Sequence, residues 1–101
     1  RITIVLAIDY GGRDEMLRAV KKINKAEINE TNFGQCLDTR GIPDPDMIIR
    51  TGGEKRLSGF MPFQSIYSEL FFTEKLFPDF SALDLEKAIE EFHKRKRRYG
   101  R

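Results

Sequence analysis

At 101 residues, 40% hydrophobic and 34% charged, the chain has the length and composition of one soluble domain with a modest core. No apolar run approaches the ~18 residues of a membrane span, no signal-peptide pattern opens the chain, and a net charge of +2 is too small to argue for nucleic acid. The lone cysteine, Cys36, excludes an internal disulfide and fits a reducing cytosol, and the lone histidine, His93, excludes a histidine-based metal cluster.

Residues 2–8, "ITIVLAI", are apolar or β-branched without alternation, the pattern of a strand buried on both faces of a parallel sheet. A central strand with no polar lead-in reads as part of a longer chain. "DYGG", residues 9–12, makes a tight turn. A helix is expected from Arg13 to about Asn24, with Met16, Leu17, Val20 and Ile23 on one side and Asp14 and Glu15 in the first turn. Residues 25–40 are polar, with a short helix around Phe33, Cys36 and Leu37. Pro43 and Pro45 make residues 41–46 a loop.

Residues 47–49 form a second buried strand, and the basic, glycine-containing stretch "IIRTGGEKRLS" continues from it. A helix is expected to begin between Ser58 and Pro62 and to run to about Ser68, followed by a third strand in "ELFFTE". "FPDF" is a turn. Ser81 caps a last helix, with Asp84 three residues later as in a capping box, and Leu85, Ala88, Ile89, Phe92 and Tyr99 supply its apolar stripe. Strand and helix alternate, so the fold class is α/β: a mostly parallel sheet with flanking helices.

Ligands of open α/β sheets gather beyond the carboxyl ends of the strands. Arg50, Arg56 and Ser58 stand there, with Thr51, Gly52 and Gly53 allowing close backbone approach and a helix N-terminus expected just beyond. A diphosphate wants guanidinium forks, a hydroxyl and free helix-end amides. The ordinary alternative is a solvated loop whose arginines pair with Glu54 or another carboxylate. The residues alone leave both readings open. Glu69 has the hard oxygen that Mg²⁺ prefers, but on the residues alone an ion pair with Arg50, Arg56 or Lys55 is the leading reading. The terminal "HKRKRRYGR" suits nucleic acid less than it suits a helix C-terminus balanced by Asp84, Glu86, Glu90 and Glu91. Phe60, Phe63, Tyr67, Phe71 and Phe72 fit a core better than a base-stacking platform.

The long segment "IRTGGEKRLSGFMPFQSIYSELFFTEKLFPDF", with "DYGGRDE" upstream and "RRYG" at the end, closely resembles the C-terminal half of the cis-prenyltransferases, the undecaprenyl diphosphate synthase family. The resemblance covers almost the whole chain. It implies the C-terminal part of that fold, with residues 1–101 forming half of a single domain. It also implies repeated addition of isopentenyl diphosphate to an allylic diphosphate such as farnesyl diphosphate, giving a cis-polyprenyl diphosphate. Position by position, Arg50, Arg56 and Ser58 match residues that hold the isopentenyl diphosphate, with the Leu57 backbone between the last two. Glu69 matches a carboxylate associated with Mg²⁺. Arg98-Tyr99-Gly100 looks like the family's terminal Arg-x-Gly element, which reaches into the partner subunit's site of a homodimer. The rest of the tail keeps its reading as helix charge.

Asp9 stands where the family often has Asn, and "SGFMPFQ" where it often has "SNFLLWQ". The family's "MDGNGRWA" segment, with its metal-binding aspartate and allylic-diphosphate loop, is not in these residues. The implied picture is a fragment inactive by itself, from a cytoplasmic homodimer that binds no nucleic acid and touches a membrane peripherally through its lipid product. Two alternatives are a non-catalytic subunit of a heteromeric cis-prenyltransferase, disfavoured because Arg50, Arg56, Ser58 and Glu69 are all present, and an unrelated phosphate- or nucleic-acid-binding module.

Overall fold

The computed structural model describes residues 1–100. They form two units, one of Arg1–Pro43 with Gly59–Pro62 and the other of Asp44–Ser58 with the residues from Phe63 onward.

In the first unit, helix α1 spans Gly12–Lys22, with Asp14 and Glu15 in its first turn and Lys21 and Lys22 in its last, each charge opposing the adjacent end of the dipole. A 3₁₀ turn at Lys25–Glu27 is capped by the Asn24 side chain. Helix α2, Glu30–Gln35, is capped by Asn29, whose Oδ1 accepts from the Asn32 amide at 2.8 Å. The hydrophobic core here is Ala19, Ile23 and Leu37.

The expected apolar face of α1 is only partly the buried one. Ile23 is buried, but Leu17 is 64% and Val20 44% exposed, while Glu15 is inside. Glu15 is stabilised there because Tyr10 donates its hydroxyl to one carboxylate oxygen and the Asp38 amide donates to the other at 2.8 Å. Arg18 forks onto both oxygens of Asp38 at 2.7 and 2.8 Å and also reaches Asp14, and its guanidinium holds the Asp38 carboxyl below its ordinary range. Tyr10 sits edge-on to Phe60, with ring centroids 5.7 Å apart.

Residues 2–8 form no strand. They have no ladder partner among the described residues, and Ile2, Ile4, Leu6 and Ile8 are each more than three-quarters exposed. The sequence carries strand chemistry, but a strand exists only where a neighbour accepts its hydrogen bonds.

The second unit holds the sheet. Strand β1, Met47–Arg50, pairs in parallel with β2, Glu69–Phe72, in the register Met47 with Glu69, Ile48 with Leu70, Ile49 with Phe71 and Arg50 with Phe72. All eight residues are half-buried. Beyond β2, a 3₁₀ turn at Phe77–Asp79 leads to helix α3, Ala82–Lys94. Ser81 and Asp84 close the expected capping box, and Lys75 binds both Asp84 oxygens at 2.8 and 2.9 Å. These bonds lower the Asp84 pKa to about 2, the Lys75 contact contributing most. Ala88 and Phe92 are half-buried, Leu85 and Ile89 remain exposed, and Tyr99 lies past the helix end.

No helix spans residues 58–68. Ser58, Gly59 and Met61 all have positive φ, at 51°, 79° and 50°, which interrupts a right-handed helix, and Pro62 has no amide hydrogen to donate to one. A series of turns carries the chain to β2.

Candidate functional site

The register divides the sequence-predicted residues between two ends of the sheet. Arg50 closes β1, so Arg50, Arg56, Leu57 and Ser58 belong to its carboxyl end, whereas Glu69 opens β2 at the amino end. Three residues of strand, about 10 Å, separate the two ends. Arg50 and Glu69 also alternate onto opposite faces, because Arg50 pairs with Phe72, an odd number of residues beyond Glu69.

At the carboxyl end, Arg50 Nη1 donates to the Arg56 carbonyl and, at 3.1 Å, to Ser58 Oγ. One guanidinium nitrogen therefore gathers the loop and leaves other donors of Arg50 available. Arg56 is exposed and pairs with Glu54 at 2.6 Å. That pairing is the ordinary reading's contact, but an exposed pair contributes only ~0–1 kcal/mol. Leu57 is half-buried and Ser58 exposed.

Two expected donors differ from the sequence reading. The Gly52 and Gly53 amides bind the Lys75 and Thr73 carbonyls at 2.8 and 2.9 Å, so they extend the sheet ladder instead of facing an anion. Both glycines have positive φ, 92° and 85°, which lets the chain turn while keeping those bonds. With no helix at residues 58–68, there are no helix-end amides either. The donors that remain at this loop are those of Arg50, Arg56, Ser58 and local backbone.

At the amino end, Glu69 is 3.5 Å from Arg95 and not from Arg50, Arg56 or Lys55. A single carboxylate suits Mg²⁺ where water and phosphate oxygens complete the octahedron. No group of three or more His, Cys, Asp or Glu gathers among the described residues, so Glu69 fits as one ligand and not as a whole site.

The tail also differs from the helix-charge reading. Helix α3 stops at Lys94, and the arginines beyond it dock on the sheet. Arg95 lies 4.0 Å over the Phe71 ring and donates to the Leu70 carbonyl at 3.0 Å. Arg97 donates to Asp46 at 2.8 Å and to the Tyr67 carbonyl at 3.2 Å. Arg98 and Gly100 are exposed. The sequence reading gave Asp46 no role, took Tyr67 as core, and took Arg95 and Arg97 as helix charge. The signal that could have found Arg95 and Arg97 is the end of the α3 stripe at Phe92, which leaves both outside the helix. Of the five aromatics read as core, Phe63, Phe71 and Phe72 are half-buried, while Phe60 and Tyr67 are 39% and 47% exposed.

No helix among the described residues is long and apolar enough to cross a membrane. The family model described as "Putative undecaprenyl diphosphate synthase" matches residues 1–100. An isoprenyl transferase of Treponema denticola is 56% identical over 100 residues, covering 96% of this chain and 44% of the relative. A tritrans,polycis-undecaprenyl-diphosphate synthase (geranylgeranyl-diphosphate specific) of Pyrobaculum aerophilum is 49% identical, covering 97% and 44%. Among solved structures, a probable undecaprenyl diphosphate synthase from Campylobacter jejuni superposes with a TM-score of 0.83 at 41% identity, covering 93% of this chain and 45% of that one. Lavandulyl diphosphate synthase from Lavandula x intermedia, in complex with dimethylallyl diphosphate, superposes with a TM-score of 0.86 at 37% identity, covering 93% and 44%. The chain thus spans a little under half the length of these relatives, its α/β fold with a parallel strand pair is theirs, and it belongs to the undecaprenyl diphosphate synthase family of prenyltransferases.

Proposed function

We propose that this chain is the C-terminal half of one cis-prenyltransferase domain, and that the complete polypeptide condenses isopentenyl diphosphate with an allylic diphosphate such as farnesyl diphosphate. In that reaction the allylic carbon–oxygen bond breaks and diphosphate leaves. The isopentenyl double bond forms the new carbon–carbon bond, and a proton is lost. The protein's work is orientation and charge stabilisation, for which permanently cationic arginines suffice.

The observation that carries this reading is the loop at the carboxyl end of β1, where one Arg50 nitrogen joins the Arg56 carbonyl to Ser58 Oγ. Arg50, Arg56 and Ser58 hold the isopentenyl diphosphate in this reading, with the Leu57 backbone between the last two. Arg98 and Gly100 contribute from the tail, and Glu69 holds Mg²⁺. The ion, when bound, supplies charge that screens diphosphate oxygens. The complete enzyme works as a cytoplasmic homodimer, with peripheral membrane contact through its lipid product. The ~10 Å between the two ends of the sheet supports a dimer, because Glu69 and the tail of one copy can serve a loop that they do not approach in their own.

The test is an assay of the complete polypeptide with farnesyl diphosphate, labelled isopentenyl diphosphate and Mg²⁺. Chain-elongated product is the expected outcome, and its absence rejects the reading. Residues 1–101 alone should give none.

A further inference from the structure

One tail side chain, Arg97, is half-buried, while its neighbours Lys96, Arg98 and Tyr99 are exposed. Arg97 is 17% exposed at its side chain, although its carboxylate partner Asp46 is 73% exposed. What shelters Arg97 is a slot. Its guanidinium lies 5.6 Å from the Phe92 ring and 4.6 Å from the Tyr99 ring, and its two terminal nitrogens divide between Asp46 Oδ1 and the Tyr67 carbonyl. Tyr99 in turn packs edge-on against Tyr67, with centroids 5.7 Å apart.

Both anchor points are at the sheet's amino end. Asp46 directly precedes β1, and Tyr67 is two residues before β2. Past the anchor, Tyr99 and Gly100 have φ of 50° and 82°, so the chain turns sharply there. A Cβ on Gly100 would lie 3.4 Å from the Tyr67 ring, in van der Waals contact with it, and at φ 82° a side chain there is strained. Residues 97 and 99 are therefore held from both sides, and Arg98 between them faces solvent.

We infer that Arg97 is a positioning residue, clamping the tail onto the starts of both strands so that Arg98 and Gly100 are presented in one fixed direction. The inference rests on the reading that Arg98 and Gly100 meet the diphosphate. Arg97 touches no substrate. Lysine replaces it only in part, because an ammonium keeps the Asp46 pair but loses the second donor of the fork, the one that reaches the Tyr67 carbonyl.

The test varies isopentenyl diphosphate at saturating farnesyl diphosphate in the complete polypeptide, with Arg98→Ala, Arg97→Ala, Arg97→Lys and Asp46→Asn. Arg98→Ala reports on the tail reading alone, and an unchanged KM there rejects that reading whatever Arg97 does. With Arg98→Ala impaired, Arg97→Ala should raise KM roughly tenfold while kcat stays within about threefold, the signature of misplaced binding groups. Arg97→Lys should recover only part of that loss. Asp46→Asn removes the charge of an exposed side chain and should raise KM in the same direction without lowering the melting temperature. If Arg97→Ala and Asp46→Asn both leave KM unchanged, or if Arg97→Ala lowers kcat and Tm with KM unmoved, the positioning role is wrong.

Discussion

Arg50 and Ser58 permit a double-mutant cycle whose size follows from the geometry. Arg50 Nη1 bonds both the Arg56 carbonyl and Ser58 Oγ, at 3.1 Å to the latter, and its other donors are open to a ligand. A hydrogen bond to a charged partner contributes about 1.5–3 kcal/mol, so Arg50→Ala should cost roughly 3 kcal/mol in kcat/KM for isopentenyl diphosphate, on the order of a hundredfold. Ser58→Ala removes a neutral hydroxyl, worth about 1 kcal/mol or roughly fivefold. The two losses should not add, because part of what Arg50 does for the ligand depends on Ser58 holding its direction. The double variant should fall short of the sum by about 1 kcal/mol, as neighbours sharing a bond do. Arg50→Lys should be nearly as poor as Arg50→Ala, since one ammonium cannot tie the loop and fork onto a diphosphate together. The assay is steady-state incorporation of labelled isopentenyl diphosphate by the complete polypeptide. Losses that add to within about 0.3 kcal/mol would refute the claim that Arg50 and Ser58 form one device.

Four further outcomes are expected of the chain itself. Leu37→Ala should lower unfolding free energy in urea by about 3 kcal/mol, since Leu37 is 1% exposed in a core of three buried hydrophobic residues; less than about 1 kcal/mol would mean the site is not packed as described. Ser81→Ala should cost about 1 kcal/mol through the lost cap. Asp84, lowered from 3.8 to about 2, favours the folded chain above pH ~4 and loses that effect as pH falls toward 2, so Asp84→Asn should flatten the acid limb of a stability–pH curve; an unchanged limb contradicts the assignment. Burial, ahead of the Glu15 contact, pushes the Tyr10 hydroxyl up to about 12, so the neutral form favours folding below pH 10 and that contribution fades as pH rises from 10 to 12. An absorbance titration near the phenolate band (~295 nm) should then show a late component that Tyr10→Phe removes, and a titration that Tyr10→Phe leaves unchanged above pH 11 would contradict it.

What the sequence disclosed was local. The capping box of Ser81 and Asp84 spans three residues, and its chemistry is complete within them. The paired strands were legible from the apolar runs at Ile48, Ile49, Leu70 and Phe71, and the crowding of Arg50, Arg56 and Ser58 after one of them marked that loop as a candidate site. What it concealed was pairing at a distance. Residues 2–8 have the composition of a strand, but composition does not supply a neighbour. The expected helix at residues 58–68 rested on Pro62 as a residue tolerated near a helix start, and the left-handed backbone at Ser58, Gly59 and Met61 overrides it. The amides of Gly52 and Gly53 were expected to be free because nothing local uses them; their partners are Lys75 and Thr73, twenty or more residues on in each case. Glu69 was read as belonging with Arg50, and only the parallel register sends the two to opposite ends.

The exposed segment at residues 2–8 has a colloidal consequence. Ile2, Ile4, Leu6 and Ile8 remain in water, with no charge between them and no proline to break the run. Short runs of that kind, rich in β-branched residues, stack with copies of themselves. A solution of this chain is then governed by a race between finding a complementary edge and finding its own kind, and the second rises more steeply with concentration. Dilution should preserve monomer where added salt, by screening the surrounding charges, should hasten its loss.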